Sequence, residues 1–334
     1  MSHAVQDRGN LPDELRSLYA LIRADLDIVE AALAREFSSR SPFIDRLAKH
    51  GFRLGGKRLR PALVLLAART CGAVRPEHHE LAAAVELIHT ATLIHDDVLD
   101  DATIRRHLET VNVLWDNEAS ILLGDYLFAR ALCLAASLGD TFACRNIAEA
   151  SRAMCEGELR QIATRGDYTL SEADYLDIIA GKTATLCACC CRLGGYYAGA
   201  EPALCDALAH FGHHLGIAFQ IVDDVLDLEG DEAVTGKSLG TDLKKEKLTL
   251  PVIRLLSQLP APERRNLIAQ MSASDNHRRE ILRSHLRRSD AVAYSHQAAA
   301  AAIATAKEAL GELPETPVRN TLLSLADFVV SRRT

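Results

Sequence analysis

Hydrophobic positions along most of the chain recur with the three-to-four-residue spacing of an α-helix. Alanine and leucine are abundant, and apolar residues that alternate with period two, as in a β-strand, are scarce. Gly55 and Gly56 interrupt the pattern, and Pro61 suits the first turn of a new helix. A charged loop is expected over residues 230–248, with shorter helices after it. Long helices are predicted over residues 12–37, 77–101, 117–138, 141–163, 171–198 and 202–229.

Nothing in this pattern divides the chain into separate units. The 334 residues contain no linker rich in proline, glycine or serine, and 48% of them are hydrophobic, which is enough to bury a sizeable core. The sequence therefore predicts a single all-α domain over residues 1–334. Residues 1–10 are polar and are expected to form a flexible tail.

Charge and cysteine content narrow the class of protein. The net charge is −7, whereas a general nucleic-acid binder should be basic, so no nucleic-acid partner is expected. The polar N-terminal stretch does not resemble a secretory signal, and no apolar run reaches the ~18 residues of a membrane-spanning helix. The nine cysteines are scattered and odd in number, as expected of reduced thiols, so a cytoplasmic location is predicted.

The pentapeptide DDVLD occurs twice, each time at the end of an apolar helical stretch. One copy spans Asp96–Asp100 and the other Asp223–Asp227. Acidic residues at a helix C-terminus oppose the helix dipole, so two such clusters indicate that something cationic binds there. Residues four apart lie on one face of a helix, so the first and last aspartate of each copy point the same way. Carboxylate pairs favour Mg²⁺ over zinc, which prefers histidine and thiolate ligands.

The sequence also carries basic residues in several separated groups, some in loops or at helix starts and one inside a predicted helix. Each group alone is more often a solvated surface, but together they suit the binding of two diphosphates and Mg²⁺ in one central cavity. The GKT sequence is not a phosphate-binding Walker loop, because the required glycine spacing and preceding strand are missing. The groups are Lys57, Arg58 and Arg60 in GGKRLRP, Arg105 and Arg106, Lys182 and Thr183 in GKT, and Lys237 and Lys247.

At these motifs the chain resembles the trans-isoprenyl (polyprenyl) diphosphate synthases. GGKRLRP, IHTATLIHDDVLD, RR, GKT, QIVDDVLD and TGKSLGTDL occur in the order and approximate spacing of that family, from about Leu15 to the C-terminus. The resemblance implies the isoprenoid synthase fold, in which long, mostly antiparallel helices surround a deep central cavity. It also implies a homodimer.

The resemblance also implies a role for each matching position. Two or three Mg²⁺ ions would be bound by Asp96, Asp97, Asp100, Asp223, Asp224 and Asp227. Isopentenyl diphosphate would be bound by Lys57, Arg60, His89 and Arg106. An allylic diphosphate would be bound by Arg105, Lys182, Thr183, Gln220, Lys237 and Lys247, of which Arg105, Lys182 and Lys247 would assist catalysis. Glu158 and Gln161 match a polar motif that lines the cavity.

The implied reaction is the elongation of an allylic diphosphate by isopentenyl diphosphate, with release of diphosphate. Small residues before the first cluster, Ala91 and Thr92, are expected to line a tunnel for the growing chain, with Ala83 and Ala84 two turns deeper. Their size predicts a medium or long product, around octaprenyl. Candidate floor residues are Phe128 and Leu132. Such a lipid product makes transient membrane contact plausible during release, without an integral membrane segment.

Two positions depart from the family pattern, which has glycine where this chain has His107 and Glu246. Because a side chain restricts the backbone, these loops are expected to differ in shape or closure. Alternative functions are a shorter-chain farnesyl or geranylgeranyl diphosphate synthase, a terpene cyclase and a non-catalytic synthase subunit. Cys187, Cys190 and Cys191 share a helix face, where packing as small hydrophobic residues is favoured over a zinc or redox site.

Overall fold

The computed structural model describes residues 12–54, 56–229, 240–272, 278–311 and 313–332. The N-terminal part is a series of helices that ends in a short hairpin. Its elements are α1 (Asp13–Leu18), a 3₁₀ turn (Ala20–Ile22), α2 (Arg23–Glu36), α3 (Pro42–Arg53), α4 (Leu59–Cys71), α5 (Pro76–Leu99), β1 (Ile104–Arg105) and β2 (Leu108–Glu109).

The remainder of the described chain is helical. Its elements are α6 (Val111–Leu114), α7 (Asn117–Ala136), α8 (Phe142–Ala163), α9 (Glu172–Ile179), a π-helical turn (Ala180–Ala184), α10 (Thr185–Tyr197), α11 (Pro202–Glu229), α12 (Thr241–Lys244), α13 (Leu250–Gln258), α14 (Ala261–Ser272), α15 (Arg278–Leu286), α16 (Ala291–Ala309) and α17 (Pro317–Ser331).

The core is built on α5 and α11, which carry the two DDVLD pentapeptides. Helix α5 packs against α7 and α4, and α11 packs against α10 and α16. Glycines allow two of the closest approaches: a Cβ at Gly194 would overlap a backbone carbonyl of α4, and one at Gly216 would overlap Ala184. Packing along their apolar lengths therefore fixes the two pentapeptide helices. The same packing fixes the positions of their acidic ends.

The predicted all-α class is confirmed, while several details differ. The predicted helix over 12–37 is interrupted by the 3₁₀ turn at Ala20–Ile22, and the π-helical turn interrupts the one over 171–198. Helix α3 and the small hairpin were not predicted. The predicted tail, residues 1–10, lies outside the described residues.

Helix α7 is unusually apolar for its exposure. Among the described residues, it is long and apolar enough to cross a membrane by length and composition, although only 33% of its most apolar window is buried. The sequence analysis expected no such helix. A core or interface helix passes the same test, and α7 packs along α5. Its uncovered apolar side chains include Ile121, Leu122 and Leu132.

The cysteine-rich segment lies inside the core. All nine cysteines are described and are free thiols, and Cys187, Cys190 and Cys191 are buried. Burial raises the pKa of each of these three thiols above its usual value. They are therefore protonated at neutral pH and pack as small hydrophobic residues.

Candidate active site

One large cavity, of about 2690 Å³, opens where α5 and α11 end. Both aspartate clusters lie on its wall, with the cations and polar residues that the sequence analysis selected. From those predicted sets the lining residues are Lys57, Arg58, Arg60, His89, Thr92, Asp96, Asp97, Asp100, Arg105, Arg106, Glu158, Lys182, Thr183, Gln220, Asp223, Asp224, Asp227 and Lys247. The structure thus brings together residues nearly 200 positions apart. Lys237 lies outside the described residues.

The first cluster is surrounded by cations. The guanidinium of Arg105 donates from Nε to both carboxylate oxygens of Asp97, at 2.9 and 3.1 Å, and its Nη2 lies 2.8 Å from Oδ1. Only 2% of the Asp97 side chain is exposed. Burial raises the pKa of Asp97, and Arg105 opposes that effect. Arg105 therefore compensates a charge that would otherwise be buried alone.

The last aspartate of the first cluster faces two further cations. Nζ of Lys247 donates to Oδ2 of Asp100 at 2.9 Å, and Nη2 of Arg165 lies 3.7 Å from Oδ1. Within the described part of the chain, that Oδ1 atom is buried and accepts no hydrogen bond. Arg165 was missed by the sequence analysis, because an isolated arginine after a helix has no local signal. Because no described protein group donates a hydrogen bond to this buried oxygen of Asp100, the oxygen is available to bind a ligand.

Lys182 lies in the π-helical turn, a local widening of the helix that is frequent at functional sites. Its Nζ contacts Oε2 of Glu158 at 2.5 Å and Oε1 of Gln161 at 2.9 Å. Burial lowers the pKa of Lys182, but Asp96 and Glu158 outweigh that effect and raise the pKa above its ordinary value. The lysine is therefore a permanent positive charge at the wall of the cavity.

Asp224, in the second cluster, is held by neutral donors. Tyr175 donates its hydroxyl to Oδ2 of Asp224 at 2.7 Å, and the amide of Gln220 donates to Oδ1 at 2.7 Å. Thr183, in the π-helical turn, donates to the Gln220 carbonyl at 2.7 Å. Burial, opposed by these hydrogen bonds and assisted by the neighbouring carboxylates, raises the pKa of Asp224 to about 6. A continuous chain of hydrogen bonds thus joins α9, the π-helical turn and α11.

Asp242 is an additional carboxylate on the cavity wall that the sequence analysis did not select. Its backbone N–H lies 3.4 Å from Oδ2 of Asp227. Burial, together with Asp227 and Asp224, raises the pKa of Asp242 to about 8. The residue belongs to the TGKSLGTDL motif, so its position in a known motif was the available signal.

His89, Arg60 and Arg106 line the same cavity. His89, on α5, lies among arginines, and its pKa is lowered well below the usual value by burial and by Arg60, Arg105 and Arg106. It is therefore a neutral hydrogen-bonding group. The guanidinium of Arg106 lies against Gly56, where any side chain would overlap it. Nε of Arg60 is buried and, among the described residues, has no hydrogen-bond partner.

This arrangement of paired acidic clusters and cations around one deep cavity agrees with comparisons to known proteins. The family model for polyprenyl synthetase matches residues 41–285. The chain is 36% identical to a protein described as heptaprenyl diphosphate synthase component 2 from Geobacillus stearothermophilus, over 96% of this chain and 99% of that one. The chain belongs to the polyprenyl synthetase family.

Solved structures support the same conclusion for the fold. A decaprenyl diphosphate synthase from Rhodobacter capsulatus matches with a TM-score of 0.89 and 39% identity, over 96% of this chain and 99% of that one. A polyprenyl synthase from Caulobacter crescentus CB15, complexed with calcium and isoprenyl diphosphate, matches with a TM-score of 0.91 and 37% identity, over 96% and 98%. The chain is therefore a trans-prenyltransferase with the isoprenoid synthase fold. Since the names of these relatives differ in product length, membership does not set the product.

The two positions that depart from the polyprenyl synthetase pattern keep a backbone suited to glycine. Arg106 and His107 form the two-residue turn between β1 and β2, with φ of 52° and 62°, and Glu246 has φ of 54°. Both central residues of such a hairpin turn require positive φ, which favours glycine or asparagine. The loops that were expected to differ in shape therefore keep the left-handed backbone that glycine would adopt. The chain carries a local strain at each position.

The structure changes the selection of tunnel residues. Thr92 and Phe128 line the cavity, whereas Ala91 is fully buried and is absent from the described cavity wall. Five residues correspond to about 500° of helix rotation, so Ala91 points about 140° away from Asp96, whereas Thr92 is only about 40° away. The prediction that Ala91 faces the tunnel is thus not supported by the geometry. Ala83 and Ala84 are also fully buried and are absent from the described wall. Leu132 is exposed and is likewise absent from that wall.

Arg332, near the C-terminus, is a further residue of the cavity wall that the sequence analysis missed. Its guanidinium lies 3.8 Å from the ring centroid of Phe219 and donates to the Phe219 carbonyl at 2.7 Å. It also lies 3.6 Å from Oδ1 of Asp223. A terminal arginine has no sequence signal of its own, because only the packing of α17 beside α11 brings it here.

Proposed function

We propose that this enzyme condenses isopentenyl diphosphate with an allylic diphosphate, such as farnesyl diphosphate, to give an all-trans polyprenyl diphosphate of about octaprenyl length. One observation carries the proposal: a single cavity is lined by both aspartate clusters, by several cations and by apolar side chains. The cations suit two diphosphates, and the apolar wall suits the hydrocarbon. Shared membership with synthases named for heptaprenyl and decaprenyl products supports the elongation reaction.

The carboxylates fit Mg²⁺ in combination with a diphosphate. The described residues contain no group of three or more His, Cys, Asp or Glu side chains arranged to bind a metal by themselves. Magnesium usually takes one or two carboxylates and completes its shell with phosphate oxygens and water. The all-oxygen donor set and the unpartnered Oδ1 of Asp100 are suitable for this mode. Two or three ions would be bound by Asp96, Asp97, Asp100, Asp223, Asp224 and Asp227.

The leaving group needs positive charge when the allylic C–O bond breaks. Bound Mg²⁺ supplies Lewis-acid stabilisation of the developing negative charge. Arg105, Lys182 and Lys247 add fixed cations at the same wall, where they stabilise the released diphosphate. Thr183 and Gln220 orient that substrate by hydrogen bonding, and Lys237 is proposed to assist from outside the described residues.

The second substrate would bind at other cations of the same cavity. Lys57, Arg60 and Arg106 pair with the diphosphate of isopentenyl diphosphate, and neutral His89 donates a hydrogen bond. The isopentenyl double bond then attacks the allylic carbon, forming a C–C bond. A proton leaves the new chain, and the released diphosphate accepts it. The cavity must exclude water during this step, since water would quench the allylic cation.

Product length would be set where the apolar wall narrows. Thr92 is small and faces the cavity, while Phe128 presents a ring to the same wall. Thr92→Phe is expected to shorten the main product and Phe128→Ala to lengthen it, as measured by chromatography of the dephosphorylated products. A C15 product alone from the unmodified enzyme would contradict the proposed length and favour a short-chain synthase.

Assembly as a homodimer is proposed from the uncovered face of α7. Ile121, Leu122 and Leu132 are 45%, 66% and 42% exposed, which is unusual for large apolar side chains on one helix. Sedimentation analysis of the purified protein tests this, with Leu122→Asp expected to give monomers. A cytoplasmic location, with transient membrane contact when product leaves, is proposed from the free thiols and from the lipid nature of the product.

The decisive experiment supplies the purified chain with isopentenyl diphosphate, farnesyl diphosphate and Mg²⁺, and sizes the products. Mg²⁺-dependent elongation is expected. No turnover by the chain alone, with turnover after addition of a partner subunit, would favour a non-catalytic subunit. Cyclic hydrocarbons without incorporated isopentenyl units would favour a terpene cyclase.

A further inference from the structure

Arg58 stands between Lys57 and Arg60, yet its guanidinium is committed to other protein groups. Nε contacts Oε1 of Glu30, on α2, at 2.6 Å, and Nη1 contacts Oε1 of Glu86, on α5, at 2.9 Å. Only 14% of the Arg58 side chain is exposed. One arginine therefore connects the segment after Gly56 to two separate helices.

The carboxylates that bind Arg58 are themselves enclosed. The Glu86 side chain is 3% exposed and that of Glu30 is 16% exposed. Burial lowers the pKa of Arg58, but Glu86 and Glu30 outweigh it and raise the pKa. Because a buried carboxylate without its cation is strongly unfavourable, the three side chains favour a single geometry.

The backbone at this point is also constrained. Arg58 is the residue before α4 and has a left-handed φ of 52°, which is unfavourable for a residue other than glycine. The hydroxyl of Tyr19 donates to the carbonyl of Lys57 at 3.0 Å, and the ring of Phe52 lies 5.2 Å from the guanidinium of Arg58. These contacts thus hold the segment that carries Lys57 and Arg60 in a backbone conformation that Arg58 would otherwise disfavour.

We propose that Arg58 is a positioning residue, which orients Lys57 and Arg60 towards the diphosphate of isopentenyl diphosphate without contacting that substrate. Glu86 precedes His89 by three residues on α5. The ion pair between Arg58 and Glu86 therefore also fixes the segment relative to His89, which is assigned to the same substrate. This inference rests on the proposed function, which assigns those three residues to isopentenyl diphosphate.

The test compares steady-state constants for both substrates in Arg58→Met and in a matched control. Arg69→Met is the control, because Arg69 lies on α4 and pairs with Asp25 of α2 at 2.9 Å away from the described cavity wall. Arg58→Met is expected to raise the KM for isopentenyl diphosphate by about tenfold, equivalent to roughly 1.4 kcal/mol of binding. The KM for the allylic diphosphate and the values of the control are expected to change less than about twofold.

Two further variants separate the ion pairs from the backbone conformation. Arg58→Gly relieves the left-handed strain but removes both ion pairs, so it is expected to behave like Arg58→Met. Arg58→Lys retains the charge but cannot bridge two carboxylates with a planar group, so an intermediate KM is expected. If Arg58→Met does not fold, Glu30→Gln weakens the same connection and is expected to shift the same constant.

An unchanged KM for isopentenyl diphosphate in folded Arg58→Met or Glu30→Gln overturns the inference. The inference is also overturned if kcat and thermal stability fall and the KM values for both substrates rise together. That pattern would report only a structural role. Lys57→Ala distinguishes the underlying assignment. If that variant leaves the KM for isopentenyl diphosphate unchanged, the proposed subsite itself is wrong.

Discussion

The two copies of DDVLD have identical letters but different surroundings. In the first copy, Asp97 and Asp100 are paired with Arg105 and Lys247. In the second copy, Asp224 accepts hydrogen bonds from the neutral groups of Tyr175 and Gln220. The difference shows that the same motif places carboxylates at two helix ends, while distant residues determine the electrostatic surroundings of each.

The chain also leaves the two clusters in different ways. Helix α5 ends at Leu99, and the backbone turns sharply through Asp101, which has φ of 49° and pairs with Lys245. Helix α11 continues to Glu229, and Arg279 and Arg283 donate to its last carbonyl groups. Cations at that end interact favourably with the helix dipole, whereas the aspartates interact unfavourably with it. Asp101 has no acidic counterpart in the second copy, where Leu228 is buried.

Removal of a carboxylate proposed to bind Mg²⁺ should have the largest effect, in either cluster. Asp96→Ala and Asp223→Ala are each expected to lower kcat by about 10³-fold or more, because the Mg²⁺ proposed to stabilise the leaving diphosphate would lose a ligand. The measurement is the rate of isopentenyl incorporation at saturating substrates and Mg²⁺, with circular dichroism as the folding control. A large effect in only one copy would contradict the view that both clusters serve one reaction.

Substitution of the residues that bind Asp97 and Asp224 should show whether a charged partner stabilises the fold more than a neutral one. Arg105→Met leaves the carboxylate of Asp97 buried without its cation, so a loss of about 3 kcal/mol in the free energy of unfolding is expected. Tyr175→Phe removes one hydrogen bond while Gln220 still donates to Asp224, so a loss of about 1 kcal/mol is expected. Urea denaturation measures both. Equal losses would mean that the two environments are not energetically different.

The pH dependence of stability in metal-free protein should report on the raised pKa values of Asp242 and Asp224. Asp242 and Asp224 have pKa values raised to about 8 and about 6, above those of unfolded aspartates. The folded state therefore binds protons more tightly, and its stability should increase as pH falls from about 8 to about 6. Thermal unfolding with a chelator present measures this trend. Asp242→Asn should reduce it, and an unchanged trend in that variant would refute the assignment to Asp242.

The hairpin that follows the first cluster should give the smallest effect. His107→Gly replaces a side chain at a φ of 62° and should raise the free energy of unfolding by about 1 kcal/mol. The measurement is urea denaturation of the two proteins side by side. Gly139, at a φ of 84° with open space around it, is a useful reference. Gly139→Ala should lower stability, and a gain there would contradict the argument from backbone strain.

Local patterns were sufficient for much of the fold. The periodicity predicted the helices that became α5, α7, α8 and α11 to within a few residues, because apolar spacing and proline positions are local signals. The 3₁₀ turn at Ala20–Ile22 and the π-helical turn at Ala180–Ala184 were not predicted. Such distortions depend on what packs against the helix, and Gly157 and Gly181 meet at the second of them.

Six ordered motifs and the repeated pentapeptide were enough to predict which residue types reach the cavity. The folded structure was needed to show which oxygen of Asp100 is unpartnered and that Asp242, Arg165 and Arg332 join the site. The physical reason is that chemistry is carried by side-chain type, which the sequence states directly. Burial, charge pairing and facing direction are set by contacts between residues far apart in the chain, and only packing brings these together.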